Sequence, residues 1–271
     1  MKPLFAVAVT LFALALTVSP LQAKTICTVI ADARSGAVLL QQGDCGTRYT
    51  PASTFKLPLS VMGYDAAFLT DEHGPVLAFH EGDPDWGGAP WRQPTDPTRW
   101  LKYSVVWYSQ RIAHALGEAR LHAYAASFGF GNADFAGDPG QHNGLDRAWI
   151  GSSLKVSPLE QVAFLKKLVN HELPATRRAQ DMTLAIAEKF PLSDGGEVQG
   201  KTGMAYPRLA NGELDDEHPY GWYVGWTSKG ARPLVFARLV QEETKQQGSS
   251  GVRVRNGLLA ELPALVAGLP H

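Results

Sequence analysis

Metal-ligand spacing is missing from this sequence. Its eight histidines are scattered, with no His-x-His and no His-Glu-x-x-His, so a metallo-hydrolase has no ligand set to build on. A dominant charge is missing too. The 25 Lys and Arg balance 26 Asp and Glu and are dispersed, which leaves no basic face for phosphates and argues against a nucleic-acid partner. Beyond the first residues, no apolar run reaches the roughly 18–20 residues that cross a bilayer. With only two cysteines a disulfide-dense scaffold is excluded, and no repeat or low-complexity tract is visible. A small-molecule or peptide substrate suits such a chain better.

The opening residues read as an address. Lys2 precedes an apolar run from Leu4 to Val18, then Leu21-Gln22-Ala23 supplies a small-residue cleavage signal. The expectation is a secretory signal peptide over 1–23 and one catalytic domain over 24–271, periplasmic and free of the membrane once cleaved. Both cysteines follow the leader into a compartment where disulfides persist. Cys27 and Cys45 flank the turn Ser35-Gly36 almost symmetrically, so a bond between them is expected, with two reduced core thiols as the alternative.

Hydrophobic periodicity outlines the fold. Thr25–Ala33 and Ala37–Gln42 form a hairpin about Arg34-Ser35-Gly36, and apolar residues at helical spacing follow over Thr54–Phe68. Thr70–Thr98 is rich in Gly, Pro and Asp and reads as a long ordered loop anchored by Trp86 and Trp91. Helices are expected over Val105–Leu116, Glu118–Phe128, from the capping box Ser157-Pro158-Leu159-Glu160 to about Val169, over Ala175–Glu188 and over Arg253–Val266. Strands are expected over Gly196–Thr202, Gly221–Thr227 and Leu234–Glu242. The fold class is therefore α+β: an antiparallel sheet built from both chain ends, a helical lobe from the middle, and a cleft between them.

Ser53-Thr54-Phe55-Lys56 sets a hydroxyl at a helix start and an amine one turn later on the same face. A serine attacks only when a neighbour takes its proton, and a lysine does so only where burial keeps it from being an ordinary ammonium. The helix start also offers a free N–H to a developing oxyanion. Ser152-Ser153-Leu154-Lys155 repeats the spacing but opens no helix, so it is treated as a decoy. Lys201-Thr202-Gly203, at the end of an expected strand, offers a cation, a hydroxyl and a glycine that lets a ligand approach the backbone. Between these, Ser104 begins an expected helix after Tyr103, either as a third polar group that passes protons or as a plain N-cap.

These residues resemble the class D, oxacillinase-type, serine β-lactamases. Pro51-Ala52-Ser53-Thr54-Phe55-Lys56, Ser104-Val105-Val106, Phe130-Gly131-Asn132, Trp149 and Lys201-Thr202-Gly203 fall in that family's order over essentially the whole mature chain. The resemblance implies Ser53 as the acylated nucleophile and Lys56 as a carbamate (N6-carboxylysine) made from carbon dioxide, with no other cofactor. Val106 and Phe55 would disfavour the ammonium, and Trp149 would hydrogen-bond the carbamate unless it is plain packing. Ser104 would relay a proton, the N–H groups of Ser53 and Met204 would bind the oxyanion, and Lys201, Thr202 and Arg255 would hold the substrate carboxylate, with nearby Arg253 as the competitor. One departure is Phe130 where the family often has tyrosine. The implied substrate is a small-molecule β-lactam, the implied state a monomer or homodimer. A penicillin-binding carboxypeptidase would favour Ser-x-Asn over this Ser-x-Val, and a β-lactam sensor would need a membrane tether.

Overall fold

The computed structural model describes residues 23–229 and 232–270. The expected leader, apart from Ala23, lies outside the described residues. Strands β1 (Lys24–Asp32) and β2 (Val38–Gly43) form the first hairpin, and β3 (Glu188–Pro191), β4 (Glu197–Ala205), β5 (Tyr220–Lys229) and β6 (Leu234–Gln241) come from the second half. They make one sheet in the order β2-β1-β6-β5-β4-β3, antiparallel at every step. Strands from both chain ends meet where β1 pairs with β6.

Period-2 alternation sorts the central strands between two cores. Val29, Trp222, Val224, Val235 and Ala237 face the main core under the helical lobe. Their neighbours Ile30, Tyr223, Leu234 and Phe236 face a second layer of Val254, Leu258 and Leu262 on the last helix, α8 (Ser250–Ala267). Burial on both faces makes β6 apolar almost throughout, as a central strand must be.

The helical lobe contains α1 (Lys56–Asp65), α2 (Pro97–Tyr103), α3 (Val106–Leu116), α4 (Glu118–Phe128), the one-turn α5 (Gly144–Arg147), α6 (Pro158–Val169) and α7 (Arg177–Ile186). The capping box of α6 forms as expected: the Ser157 hydroxyl accepts from the Glu160 N–H, and the Glu160 carboxylate accepts from the Ser157 N–H. Cys27 and Cys45 are bonded, with Cα atoms 5.1 Å apart. Cys27 faces Gly43 across the hairpin, so the bond ties β1 to the chain just beyond β2 rather than to a direct cross-strand partner.

Several boundaries differ from the sequence expectations. The first expected helix is a 3-10 turn, Ala52–Phe55, leading into α1, because Ala52 takes a positive φ of 49° and sets Ser53 on a tight turn. The long loop ends in α2, begun by Asp96, whose carboxylate accepts from the Arg99 N–H, with Pro97 in the first turn. Trp86 does not anchor that loop. It is 65% exposed and packs on Trp91, which is the buried one. The expected helix over Ala175–Glu188 stops at Ile186, after which Glu188–Pro191 adds a short edge strand where a proline is tolerated.

Candidate active site

Between sheet and lobe lies a cavity of about 630 Å³, lined by Ser53, Ser104, Val106, Trp149, Thr202, Gly203 and Met204 among others. Seven residues spread from Ser53 to Met204 thus reach one space. The Ser53 turn is pressed against β4: a Cβ on Gly203 would lie 2.9 Å from the Pro51 carbonyl and 3.2 Å from the Thr54 methyl. The glycine is therefore needed for close packing of the nucleophile turn, and it also lines the cavity. From the other side Gly251 of α8 packs on the Gly203 carbonyl, at a distance that excludes a side chain.

Lys56 reaches Ser53, its Nζ donating to Oγ at 3.4 Å. It is only 1% exposed and makes no ion pair among the described residues. Burial, reinforced by the charge of Lys201, holds its pKa well below the ordinary lysine range. Burial thus favours the neutral amine, the form that can accept a proton or react with an electrophile. Phe55 and Val106 are buried, and Trp149 stacks on Phe55 with centroids 5.4 Å apart.

The Trp149 indole N–H is buried and has no hydrogen-bond partner among the described residues. An orphaned buried donor costs about 1–3 kcal/mol, so such a group points to a missing acceptor. A neutral lysine amine and an unspent indole donor are together what a carbamate on Lys56 would require.

Ser104 differs from its expected place. It does not open α3, whose N-cap is Val105, but ends α2 in the left-handed region at φ 57°. Strain of that kind in a non-glycine residue collects at functional sites. Its hydroxyl accepts from Lys201 Nζ at 2.5 Å, and the same amine also donates to the Thr202 carbonyl at 3.1 Å. Burial lowers the Lys201 pKa to about 8, opposed by Glu188 and aided by Arg255.

Lys201-Thr202-Gly203 lies inside β4 rather than at its end. β3 pairs only as far as Gly200, so Lys201–Ala205 has a strand on one side alone and presents a free edge. That edge can bind an extended amide. Thr202 and Met204 line the cavity beside it.

Arg255 stands outside the cavity lining, although its charge reaches Lys201. Its guanidinium lies 4.5 Å over the Phe190 ring and donates to Asn256, outside the cavity lining. Arg253 is likewise turned away, paired with Glu242. The residue at that end of the cavity is Ser249, N-cap of α8, whose side chain makes no capping bond. Sequence reading missed it, although a Ser-Ser-Gly before the last helix is a cap signal.

The decoy is resolved by its partners. Ser152 Oγ donates to Asp138 at 2.7 Å and Lys155 is exposed, so that pair shares no face. Phe130 is fully buried against Phe164 and Phe55, where a tyrosine hydroxyl would need an acceptor. Asn132 ties its turn to the 153–155 segment, its amide donating to the Ser153 carbonyl and accepting from the Lys155 N–H.

Comparison with known proteins gives the family. Residues 26–261 match the penicillin binding protein transpeptidase domain family. The chain is 40% identical to β-lactamase OXA-9 of Klebsiella pneumoniae, over 89% of this chain and 88% of that one. A crystal structure of the OXA-427 class D β-lactamase is 44% identical and superposes with a TM-score of 0.83, covering 89% of this chain and 98% of that one. The regulatory protein BlaR1 of Bacillus licheniformis is 28% identical over 79% of this chain but only 32% of its own length. A domain-wide family match and close kinship to named OXA enzymes place the chain in the class D serine β-lactamases, within the penicillin-binding transpeptidase family.

Proposed function

We propose that this protein hydrolyses the β-lactam ring of penicillin-type antibiotics and thereby confers resistance to them, through an acyl-enzyme on Ser53. The observation that carries the reading is the buried Lys56 amine 3.4 Å from the Ser53 hydroxyl, with no ion pair among the described residues, together with the buried Trp149 indole N–H, which has no acceptor among them. The neutral amine fits capture of carbon dioxide, and the carbamate so formed supplies a base near neutral pH, with the Trp149 N–H as its hydrogen-bond donor.

Ser53 Oγ passes its proton to the base at Lys56 and attacks the lactam carbonyl carbon, whose oxygen takes the charge between the N–H groups of Ser53 and Met204. As the ring C–N bond breaks, the leaving nitrogen receives a proton through Ser104, whose hydroxyl is kept oriented by Lys201. Water then attacks the Ser53 ester, releases the opened acid and restores the hydroxyl. The substrate carboxylate is held by Lys201, Thr202 and Ser249, where the start of the 18-residue α8 adds its dipole. Residues 1–23 serve as a signal peptide for export to the periplasm, with 24–271 as one catalytic domain.

A nitrocefin time course over many turnovers tests the reading. Steady hydrolysis by the wild type, with a long-lived acyl-enzyme in Lys56→Ala, is expected. One stoichiometric burst followed by silence would make the protein a penicillin-binding carboxypeptidase or a β-lactam sensor instead.

A further inference from the structure

Thr50 lies three residues before Ser53, is 7% exposed, and joins three parts of the molecule. Its hydroxyl donates to the Trp149 carbonyl at 3.0 Å and accepts the Gly151 N–H at 3.0 Å. Its own carbonyl accepts the Trp222 indole N–H of β5 at 3.0 Å. Next to it, Tyr49 and Val156 exchange backbone bonds at 2.9 and 2.8 Å, which keeps the two segments in register. The other described bonds to the Trp149 turn come from within its own loop, such as Ile150 to Arg147 and Leu154 to Ala148, or from the exposed Arg208. Among the described residues, Thr50 supplies the hydrogen bonds that link this turn to the segment carrying the nucleophile, alongside the stacking of Trp149 on Phe55.

We infer that Thr50 is a positioning residue for the reaction: its hydroxyl fixes the Trp149 turn relative to Ser53 and Lys56, and so sets where the indole donor stands. This rests on the reading of Lys56 as a carbamate held by Trp149. The chemistry of Thr50 suits the role. A hydroxyl that donates and accepts at once has no remaining freedom, and it pins both ends of a two-residue span. Because the same residue is tied to β5 through Trp222, the reference point is the rigid sheet. Valine has the same shape and can make neither bond, whereas serine keeps both.

Wild type, Thr50→Val, Thr50→Ala and Thr50→Ser are compared with benzylpenicillin in carbon-dioxide-depleted buffer and with added bicarbonate. Lys56 is followed by 13C NMR after labelling with 13C-bicarbonate. In depleted buffer kcat of the valine and alanine variants is expected to fall about tenfold, the low end of what losing a residue that orients a metal ligand costs. KM is expected to stay near wild type, bicarbonate to restore kcat, and the serine variant to behave as wild type. Wild-type kcat and bicarbonate demand in a folded valine or alanine variant would overturn the inference. A loss that bicarbonate does not restore would do the same, as would failure of both variants to fold. The two readings separate in the wild type itself: no 13C signal at Lys56 there would remove the carbamate reading, whereas a normal signal that Thr50→Val leaves unchanged would remove only the role of Thr50.

Discussion

The Nζ of Lys201 and the Oγ of Ser104 lie 2.5 Å apart although they come from β4 and from the α2–α3 junction, 97 residues away in sequence. The contact joins the sheet to the helical lobe across the cavity. It also explains the left-handed backbone at Ser104, because that conformation ends α2 and turns the hydroxyl toward the strand. A buried cation next to a hydroxyl favours the hydroxyl as an acceptor and leaves its own proton free for a third group.

The pH dependence follows from Lys201. Its pKa of about 8 means the ammonium that attracts a carboxylate is lost as pH rises through that value. We expect kcat/KM for benzylpenicillin to decline above pH 8, with this limb missing from the profile of Lys201→Ala. Stability should move the other way. The unfolded lysine titrates at 10.5 and so binds the proton that the folded one has lost. Thermal unfolding temperature should therefore climb as pH passes about 8, adding to the rise that the buried Lys56 contributes in the same direction, until tyrosines kept protonated by burial, such as Tyr223, titrate in the unfolded chain. A flat kcat/KM across this range would reject the assignment.

Two Ser-x-x-Lys motifs allow a direct contrast. Ser53→Ala should abolish covalent labelling by a fluorescent penicillin. Ser152→Ala should label normally and lose about 1 kcal/mol of stability, because its hydroxyl serves Asp138. Labelling that survives in the first and vanishes in the second would transfer the nucleophile to the loop.

What was legible in the sequence depended on how local each signal is. The α6 capping box, the first hairpin and the strands β4 to β6 are written in neighbouring residues, and they appear near their expected places. Ser53 and Lys56 share a turn, so their meeting was legible as well. The Asp96-Pro97 start of α2 was equally local but lay inside a Gly- and Pro-rich stretch whose composition pointed to loop. The remainder is not local. That Arg255 stacks on Phe190, that Ser249 reaches the cavity and that Gly203 serves the Ser53 turn all depend on how α8 and the 3-10 turn press on β4.

The fate of the last helix yields a third expectation. Arg255→Ala should leave KM for benzylpenicillin almost unchanged, since the guanidinium is committed to Phe190 and Asn256. Ser249→Ala should raise KM about tenfold, the effect of losing one hydrogen bond of about 1.5 kcal/mol to a charged group. Steady-state kinetics on the pair checks this, and the reverse order would return the carboxylate to the arginine.

Glycine at 203 provides the most stringent check on how the site is assembled. Alanine there puts a methyl 2.9 Å from the Pro51 carbonyl and 3.3 Å from the Thr54 nitrogen, both backbone atoms that cannot rotate away. The Ser53 turn must then retreat from β4, which separates the nucleophile from Met204 and the free strand edge. We expect Gly203→Ala to cost about 1–3 kcal/mol of stability, as overpacking does. We also expect a fall in kcat on the order of a hundredfold, as a misplacement of about an ångström produces. Gly257→Ala on α8 is the control, because no atom lies within 4 Å of a Cβ there and a mid-helix alanine should stabilise by about 0.5–1 kcal/mol. Calorimetry and nitrocefin kinetics on both variants measure the two effects separately. A Gly203→Ala enzyme that melts early but turns over normally would show that the glycine supports the fold without setting the position of Ser53.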